Sequence, residues 1–136
     1  MPIMEGTSRL KTWTGSYSFA RDGGATGSIV LKSDDGPLPV GSYVVGGYLD
    51  VDTVLSTLDA SSAGPATAAL QVNAANDIIN AASVAGAPWS TQGHKDIIPD
   101  STGSTAILLT GAREPTLVVA VEDIDAGIFT LTLFYK

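Results

Sequence analysis

Cysteine is absent from this chain of 136 residues, and its absence removes several kinds of chemistry at once. Without a thiol there is no disulfide, no thiolate metal site and no cysteine nucleophile. Basic residues are also few, since seven lysines and arginines oppose fourteen acids and leave a net charge of −7. Binding to nucleic acid without sequence preference needs an excess of positive charge, so we expect no nucleic-acid partner.

Long apolar runs are missing as well. The apolar stretches, such as residues 117–121, are only a few residues long, whereas a membrane helix needs about 20. The start of the chain lacks the apolar segment that marks a secretory signal. We therefore expect no membrane partner, and the chain length predicts a single domain.

The basic residues that exist are concentrated near the start of the chain. Residues 1–32 carry four basic and two acidic residues, whereas the remainder carries three basic and twelve acidic ones. Residues 1–15 also show no sustained strand or helix pattern. The sequence predicts an N-terminal arm over residues 1–15 and one domain over residues 16–136. The arm either contacts an acidic partner or another copy, or it is a polar tail without a role.

The residues that are abundant favour short strands. Apolar residues make up 44 % and charged residues 15 %, with glycine (15) and proline (7) frequent, which is enough for a core with many turns. Alternation of polar and apolar side chains predicts strands at residues 16–20 and 128–135. Further candidate strands are residues 27–32, 43–55, 66–72, 106–110 and 116–122. This pattern predicts an all-β fold, an antiparallel β-sandwich of the jelly-roll type.

One segment has the spacing of a helix instead. Apolar residues recur every three or four positions between residues 73 and 85, which predicts one short helix. Asn73 or Asn76 would cap its start, and Gly86 and Pro88 would end it. The polar residues 90–105 that follow predict a long loop.

Candidate catalytic side chains are few. His94 is the single histidine, and no serine near it lies in a G-x-S-x-G setting, so we interpret it as a surface loop residue. Asp50 and Asp52 share one strand face and would suit a sugar-cleaving pair or a calcium ion, but a solvated face is the commoner explanation. Residues 123–127, Asp-x-Asp-x-Gly, lack the later ligands of a calcium loop and predict a turn. We expect no catalytic, metal or cofactor site.

Several segments resemble small virion structural proteins of tailed bacteriophages. Residues 46–53 contain the pattern Gly-Tyr-x-x-Val-Asp-Thr, and residues 73–79, 86–91 and 116–135 follow in a similar order and spacing. The resemblance implies a capsid decoration, or cement, protein that binds the outer surface of the head shell. Its implied partner is the major capsid protein, whose subunit contacts it stabilises, and its implied state is a homotrimer. It also implies a virion location after synthesis in the host cytoplasm, and no enzymatic activity.

Interface residues are expected among the basic and aromatic side chains. Trp89 directly follows the predicted helix, so it could equally plug the end of the core. The candidate interface residues are Arg9, Lys11, Trp13, Tyr17, Tyr48 and Trp89.

Two other functions compete with the decoration protein. A carbohydrate-binding β-sandwich module of a phage head or tail fibre would need aromatic rings exposed on one face, drawn from Tyr17, Tyr43, Tyr48 and Trp89. A glycosidase would use Asp50 and Asp52, although two side chains pointing the same way from one strand flank a sugar bond poorly.

Overall fold

The structure is a computed structural model that describes residues 10–57, 64–100 and 104–136. Almost all of its regular structure is β-strand. The elements in chain order are β1 (Lys11–Ser18), α1 (Phe19–Asp22), β2 (Gly27–Val30), β3 (Tyr43–Thr57), β4 (Thr67–Gln71), β5 (Ile79–Ser83), β6 (Gly93–Lys95), β7 (Ile107–Leu108), β8 (Thr116–Ala120) and β9 (Ile124–Tyr135).

The strands form two sheets in which every pairing is antiparallel. The first sheet has the order β1-β9-β3-β6, with β7 also paired to β3, and the second has the order β2-β8-β4-β5. The first strand therefore pairs with the last and β2 with β8, while β3 pairs with both β6 and β7 and β4 pairs with β5. This is a long antiparallel ribbon folded over itself, the topology of a jelly roll. The predicted all-β sandwich is confirmed.

The core lies between the two sheets and follows from alternation along the strands. On β9, Phe129, Leu131 and Leu133 are fully buried, as the sequence predicted for one face of this strand. They pack with Leu49 of β3 and with Leu70 of the second sheet in one apolar cluster. Burial of these side chains between the sheets holds the sandwich together.

The first strand begins earlier than the sequence predicted. β1 starts at Lys11 rather than at residue 16, and its register with β9 runs from Lys11 opposite Tyr135 to Ser18 opposite Ile128. Residues 11–15 therefore belong to the sandwich, and a boundary at residue 16 is wrong. The weak pattern misled the prediction because the inward positions include Gly15, which is buried beside Trp13 and shows no hydrophobic signal.

The helix predicted for residues 73–85 is wrong, because this segment forms a turn followed by β5. The Asp77 carboxylate accepts the backbone N–H groups of residues 72, 73 and 74 at 2.8–2.9 Å, which closes a turn. Asn76 adopts a left-handed conformation with φ 63, which a helix does not allow. Asn73 caps nothing, since its side-chain oxygen accepts hydrogen bonds from Thr110 and Arg113. The helix that is described is the single turn α1.

Two further segments contain more β-strand than the sequence predicted. The predicted loop at residues 90–105 contains the short strand β6, which pairs with β3. The predicted turn at residues 123–127 is shorter than expected, because β9 already begins at Ile124. Since β8 and β9 belong to different sheets, this turn carries the chain across the sandwich and does not close a hairpin.

The paired glycines at 46 and 47 have the role that the sequence indicated. The pairing of β3 with β9 shifts register between Val44 and Gly46, which is a bulge. At Gly47 a Cβ atom would lie 2.1 Å from the carbonyl oxygen of Thr132, and φ is +148. Only glycine allows the two central strands to approach this closely.

Candidate functional site

Three of the six predicted interface residues lie in the core. Trp13 is 1 % exposed, and Tyr17 and Trp89 are 0 % exposed, so none can contact a partner on the surface. Their place in the interface prediction is wrong. The alternative that Trp89 plugs the core is confirmed. The physical reason is shared: each ring is large and apolar, and each polar atom finds a backbone acceptor inside the fold.

The hydrogen bonds of these three rings show how completely the core accommodates them. Trp13 Nε1 donates to the Gly36 carbonyl at 2.8 Å, and Trp89 Nε1 donates to the Ala68 carbonyl at 3.1 Å. The Tyr17 hydroxyl donates to the Gly23 carbonyl at 2.5 Å. Burial, with a smaller contribution from the nearby Asp22 carboxylate, raises the pKa of Tyr17 to about 12.

The other three predicted residues have different positions. Lys11 is exposed at the start of β1. Tyr48 is half-buried on the outward face of β3. Arg9 lies outside the described residues. Lys11 and Tyr48 are thus the predicted residues that the structure places where a partner can reach them.

Tyr48 belongs to a cluster of rings on the outer face of the first sheet. Its ring stacks on His94 of β6 with centroids 4.6 Å apart, and Phe134 of β9 lies 6.1 Å from it on a tilted plane. The Asp50 carboxylate lies 3.4 Å from His94 Nδ1. Beneath the rings, Thr132 is only 6 % exposed. We call Tyr48, His94 and Phe134 the outer aromatic cluster.

The sequence prediction missed two members of this cluster, although a signal for one was present. Alternation along the last strand already placed Phe134 opposite to Phe129 and Leu133, on the outward face. His94 was assigned to a loop, because β6 has three residues and no alternation to reveal it. Its side chain is 62 % exposed, so its surface position is confirmed.

The carboxylates that could suggest catalysis lie on open surface. Asp50 and Asp52 are both exposed, which confirms the predicted solvated face. Within residues 10–57, 64–100 and 104–136, no group of three histidine or acidic side chains could hold a metal ion. No helix in these same ranges is long and apolar enough to cross a membrane.

The free edge of β1 is covered by neighbouring segments. The outward backbone groups of Ser16 pair with Lys32, at 2.8 and 3.0 Å. Thr14 N–H donates to the Asp35 carboxylate at 2.9 Å, and Ser18 N–H donates to Asp22 at 3.1 Å. The Arg21 guanidinium beside Asp22 holds the pKa of that carboxyl below its usual range. This edge is therefore not open to an added strand from residue 14 to residue 18.

Half of the aromatic residues that a sugar-binding module would need are not on the surface. Tyr17 and Trp89 are in the core. Tyr43 is 48 % exposed and Tyr48 is half-buried on the outer face of the first sheet. One face of the Tyr48 ring is already stacked against His94. The structure thus provides no row of free rings among the four candidates.

Comparison with known proteins gives a likeness in structure. No family model matches the chain, and no curated protein matches its sequence. The fold is similar to a chain of the cyanophage Pam1 capsid asymmetric unit, with 20 % identity, a TM-score of 0.62, and 99 % of this chain and 89 % of that chain covered. It is also similar to a chain of the acidic stable capsid structure of Helicobacter pylori bacteriophage KHP30, with 14 % identity and a TM-score of 0.57.

The second likeness covers 94 % of this chain and 87 % of that one. At these sequence identities the similarity shows a shared fold, and it extends over almost the whole length of the compared chains. Both similar structures are phage capsids, which supports at the level of fold the resemblance to small virion structural proteins.

Proposed function

We propose that this chain is a capsid decoration protein of a tailed bacteriophage. It binds the outer surface of the head shell and stabilises contacts between subunits of the major capsid protein, as a homotrimer and without catalysis. The observation that carries this proposal is the jelly roll shared over 99 % of the chain with a component of a phage capsid. The Gly-Tyr-x-x-Val-Asp-Thr pattern of residues 46–53 supports it independently.

The outer face of the first sheet is the surface that best suits a shell contact. Where β1 pairs with β9, the outward positions carry no charge, although the chain has a net charge of −7. These positions are Thr12, Thr14, Ser16, Ser18, Ile128, Thr130, Thr132 and Phe134. The uncharged hydroxyl groups of β1 and β9 can be buried against another protein at small cost, because no charge on these positions must be stripped of water. The exposed carboxylates of this face, Asp50 and Asp52, lie on the neighbouring β3.

Many weak contacts are sufficient for such a protein. A shell presents the same site many times, and copies linked in one oligomer bind it with a high effective concentration. A single ring cluster such as Tyr48, His94 and Phe134 then supplies the centre of each contact. Lys11 adds a positive charge that can meet an acidic group on the shell or on an adjacent copy.

The proposal is tested on particles of the phage that encodes the chain. Shells lacking the protein are mixed with purified protein and examined by cryo-electron microscopy, which should show density on the outer surface of the head. A Tyr48→Ser, Phe134→Ser variant should lower occupancy about tenfold or more, since buried aromatic anchors dominate contact energies. Val30→Ser is the control, because Val30 is also exposed (50 %) but lies on the second sheet.

Two outcomes would contradict the proposal. One is density for this chain in the tail alone, or in no part of the particle. The other is turnover of a substrate by the purified protein with no particle present, which would point to catalysis in place of surface contact.

A further inference from the structure

Most of the exposed apolar side chains of this protein lie together at one end of the first sheet. Seven large apolar residues are exposed in the described part of the chain, and four of them meet where β1 begins and β9 ends. We call these four the apolar end. They are Leu10 (51 %), Val40 (64 %), Tyr43 (48 %) and Leu108 (46 %).

Backbone pairing brings three residues of the apolar end together, and Leu10 directly precedes β1 at the same end of the sheet. Tyr43 exchanges two backbone hydrogen bonds with Lys136, at 2.8 and 3.0 Å, and stands opposite Leu108. Gly41, next to Val40, donates to the Leu109 carbonyl at 2.8 Å. Val40, Tyr43 and Leu108 are thus brought together by backbone pairing, and grouped exposed apolar side chains are typical of contact sites.

Positive charge flanks the apolar end. Lys11 follows Leu10 directly, and Lys136 lies beside Tyr43; both lysines are exposed. No ion pair to either lysine is present within residues 10–57, 64–100 and 104–136. A chain with a net charge of −7 thus presents its apolar patch beside basic groups. The patch fits an acidic surface with an apolar centre.

A surface of that kind exists at the opposite end of the same molecule. The turn between β8 and β9 carries Glu122, Asp123 and Asp125 around Val121, whose side chain is 49 % exposed. Asp123 accepts the Thr26 N–H at 2.9 Å and Asp125 accepts the Ser56 hydroxyl, so the positions of these two half-buried acids are fixed. We call residues 121–125 the acidic turn.

Val121 is held in a conformation that is unfavourable for valine. Its φ is +74, and the Glu122 N–H donates to the Ala120 carbonyl at 2.9 Å, so Val121 is the central residue of a tight three-residue turn. A β-branched residue with positive φ is strained, and glycine or asparagine would fit the turn better. Strain of this kind is concentrated at functional sites, where the side chain serves a purpose other than stability.

The apolar end and the acidic turn cannot meet within one molecule. They lie at opposite ends of β9, whose 12 residues span roughly 35 Å at the usual rise of a strand. Their apolar centres and opposite charges can be joined only between copies. We infer that the apolar end of one copy binds the acidic turn of a second copy, in a head-to-tail contact.

A head-to-tail contact has a definite consequence for assembly. Repeated around an axis it closes into a ring, and a rotation of 120° gives a trimer, whereas without closure it gives a filament. The inference thus rests on the homotrimer of the proposed function and assigns a surface to it. Because self-association is measured in solution without shells, its failure is distinguishable from a failure of shell binding.

The experiment uses the oligomeric state of the full chain, measured by analytical ultracentrifugation over a range of concentrations. Tyr43→Ser with Leu108→Ser should raise the concentration needed for assembly about tenfold or more. Val121→Asn should do the same while making the monomer more resistant to urea, because asparagine tolerates positive φ. Val30→Asn is the matched control, since Val30 is 50 % exposed and lies away from both surfaces; it should not change assembly.

Mixing the Tyr43→Ser, Leu108→Ser variant with the Val121→Asn variant tests whether the contact is head-to-tail. Each retains one intact surface, so the mixture should form a dimer and stop, although neither variant assembles alone. Assembly of the Val121→Asn variant equal to that of the natural chain would overturn the inference, since that result fits a symmetric contact between two apolar ends. A natural chain that stays monomeric at millimolar concentration, or an equal effect of Val30→Asn, would overturn it as well.

Discussion

The two faces of the first sheet differ in what their side chains do, although they alternate along the same strands. On β3, Leu49 is 0 % exposed, whereas the preceding Tyr48 is half-buried on the outer face. On β9, Leu133 is 0 % exposed, whereas Phe134 is half-buried beside Tyr48. One residue of each pair stabilises the sandwich and its neighbour is available to a partner.

The aromatic residues show that residue type alone does not decide this outcome. Trp13, Tyr17 and Trp89 are enclosed by the core and donate to backbone carbonyls there. Tyr43 and Tyr48 are of the same class and lie outside it. For Trp13, Tyr17 and Tyr48 the position in the strand register decides between stability and contact, because the period of a strand is two residues. Trp89 lies between β5 and β6 and enters the core from a turn.

The largest effect that tests this difference is expected at Trp13. Replacing Trp13 by alanine removes a buried ring and its hydrogen bond to Gly36, so the free energy of unfolding should fall by about 3–5 kcal/mol. Thr12→Ala changes the adjacent residue, which lies on the outer face, and should alter the free energy of unfolding by about 0.5 kcal/mol at most. Urea denaturation followed by tryptophan fluorescence and circular dichroism measures both.

A fall below 1 kcal/mol for Trp13→Ala would show that residues 11–15 are a loose arm after all, as the sequence pattern indicated. A large fall for Thr12→Ala would remove the difference between the faces. The first result would contradict the placement of β1 in the sandwich, and the second would contradict the outward position of Thr12.

The sequence predicted the fold where alternation was strong and regular. The sequence of β9 alternates regularly from residue 128 to residue 135, so the faces of this part could be assigned without a structure. The bulge at Gly46 and Gly47 was also predictable, because paired glycines inside a strand have few other uses. These features were sufficient for the sandwich and for its jelly-roll class.

Prediction failed where side-chain hydrogen bonds or pairing with a distant strand overrode the local apolar spacing. Apolar residues at residues 73–85 have helical spacing, but the Asp77 carboxylate binds three backbone N–H groups and Asn76 turns the chain the other way. Residues 93–95 form a strand solely because β3 lies beside them. Their local sequence carries no strand preference, so no pattern could reveal them.

For the interface, the sequence supplied candidates but not their environment. Of the six predicted residues, Tyr48 and Lys11 are described as accessible, and three rings are in the core. His94 joins the surface only through the pairing of β6 with β3. Surface clusters depend on which strands are neighbours, and this is a property of the topology that a single sequence does not display.

A smaller effect, which depends on pH, separates the tyrosines of the two faces. The pKa of Tyr17 is raised from 10.0 to about 12, so the buried phenol stays neutral while an unfolded one ionises. The stability that this group contributes is therefore fully present below pH 10 and is lost as the pH rises toward 12. Tyr17→Phe should lower stability at pH 7 by about 1 kcal/mol, for the lost hydrogen bond to Gly23, and flatten the decline above pH 10.

Tyr48→Phe is the control for this measurement, because its ring lies on the outer face and the substitution leaves the core unchanged. The control should retain the alkaline decline of the natural chain in urea denaturation between pH 8 and 11.5. An identical decline in Tyr17→Phe would mean that another group causes it.

The smallest effect on stability is expected at His94. This substitution tests whether a side chain on the outer face of the first sheet contributes to the stability of the fold. Its side chain is 62 % exposed, Asp50 beside it is 52 % exposed, and their separation is 3.4 Å. A contact between two side chains this exposed contributes little, because water competes for both groups and salt screens any charge. His94→Gln should therefore change the free energy of unfolding by about 0.5 kcal/mol or less in urea, at low and at high salt. A loss above about 2 kcal/mol would show that the outer aromatic cluster supports the fold as the inner rings do, and its assignment to partner contact would then fail.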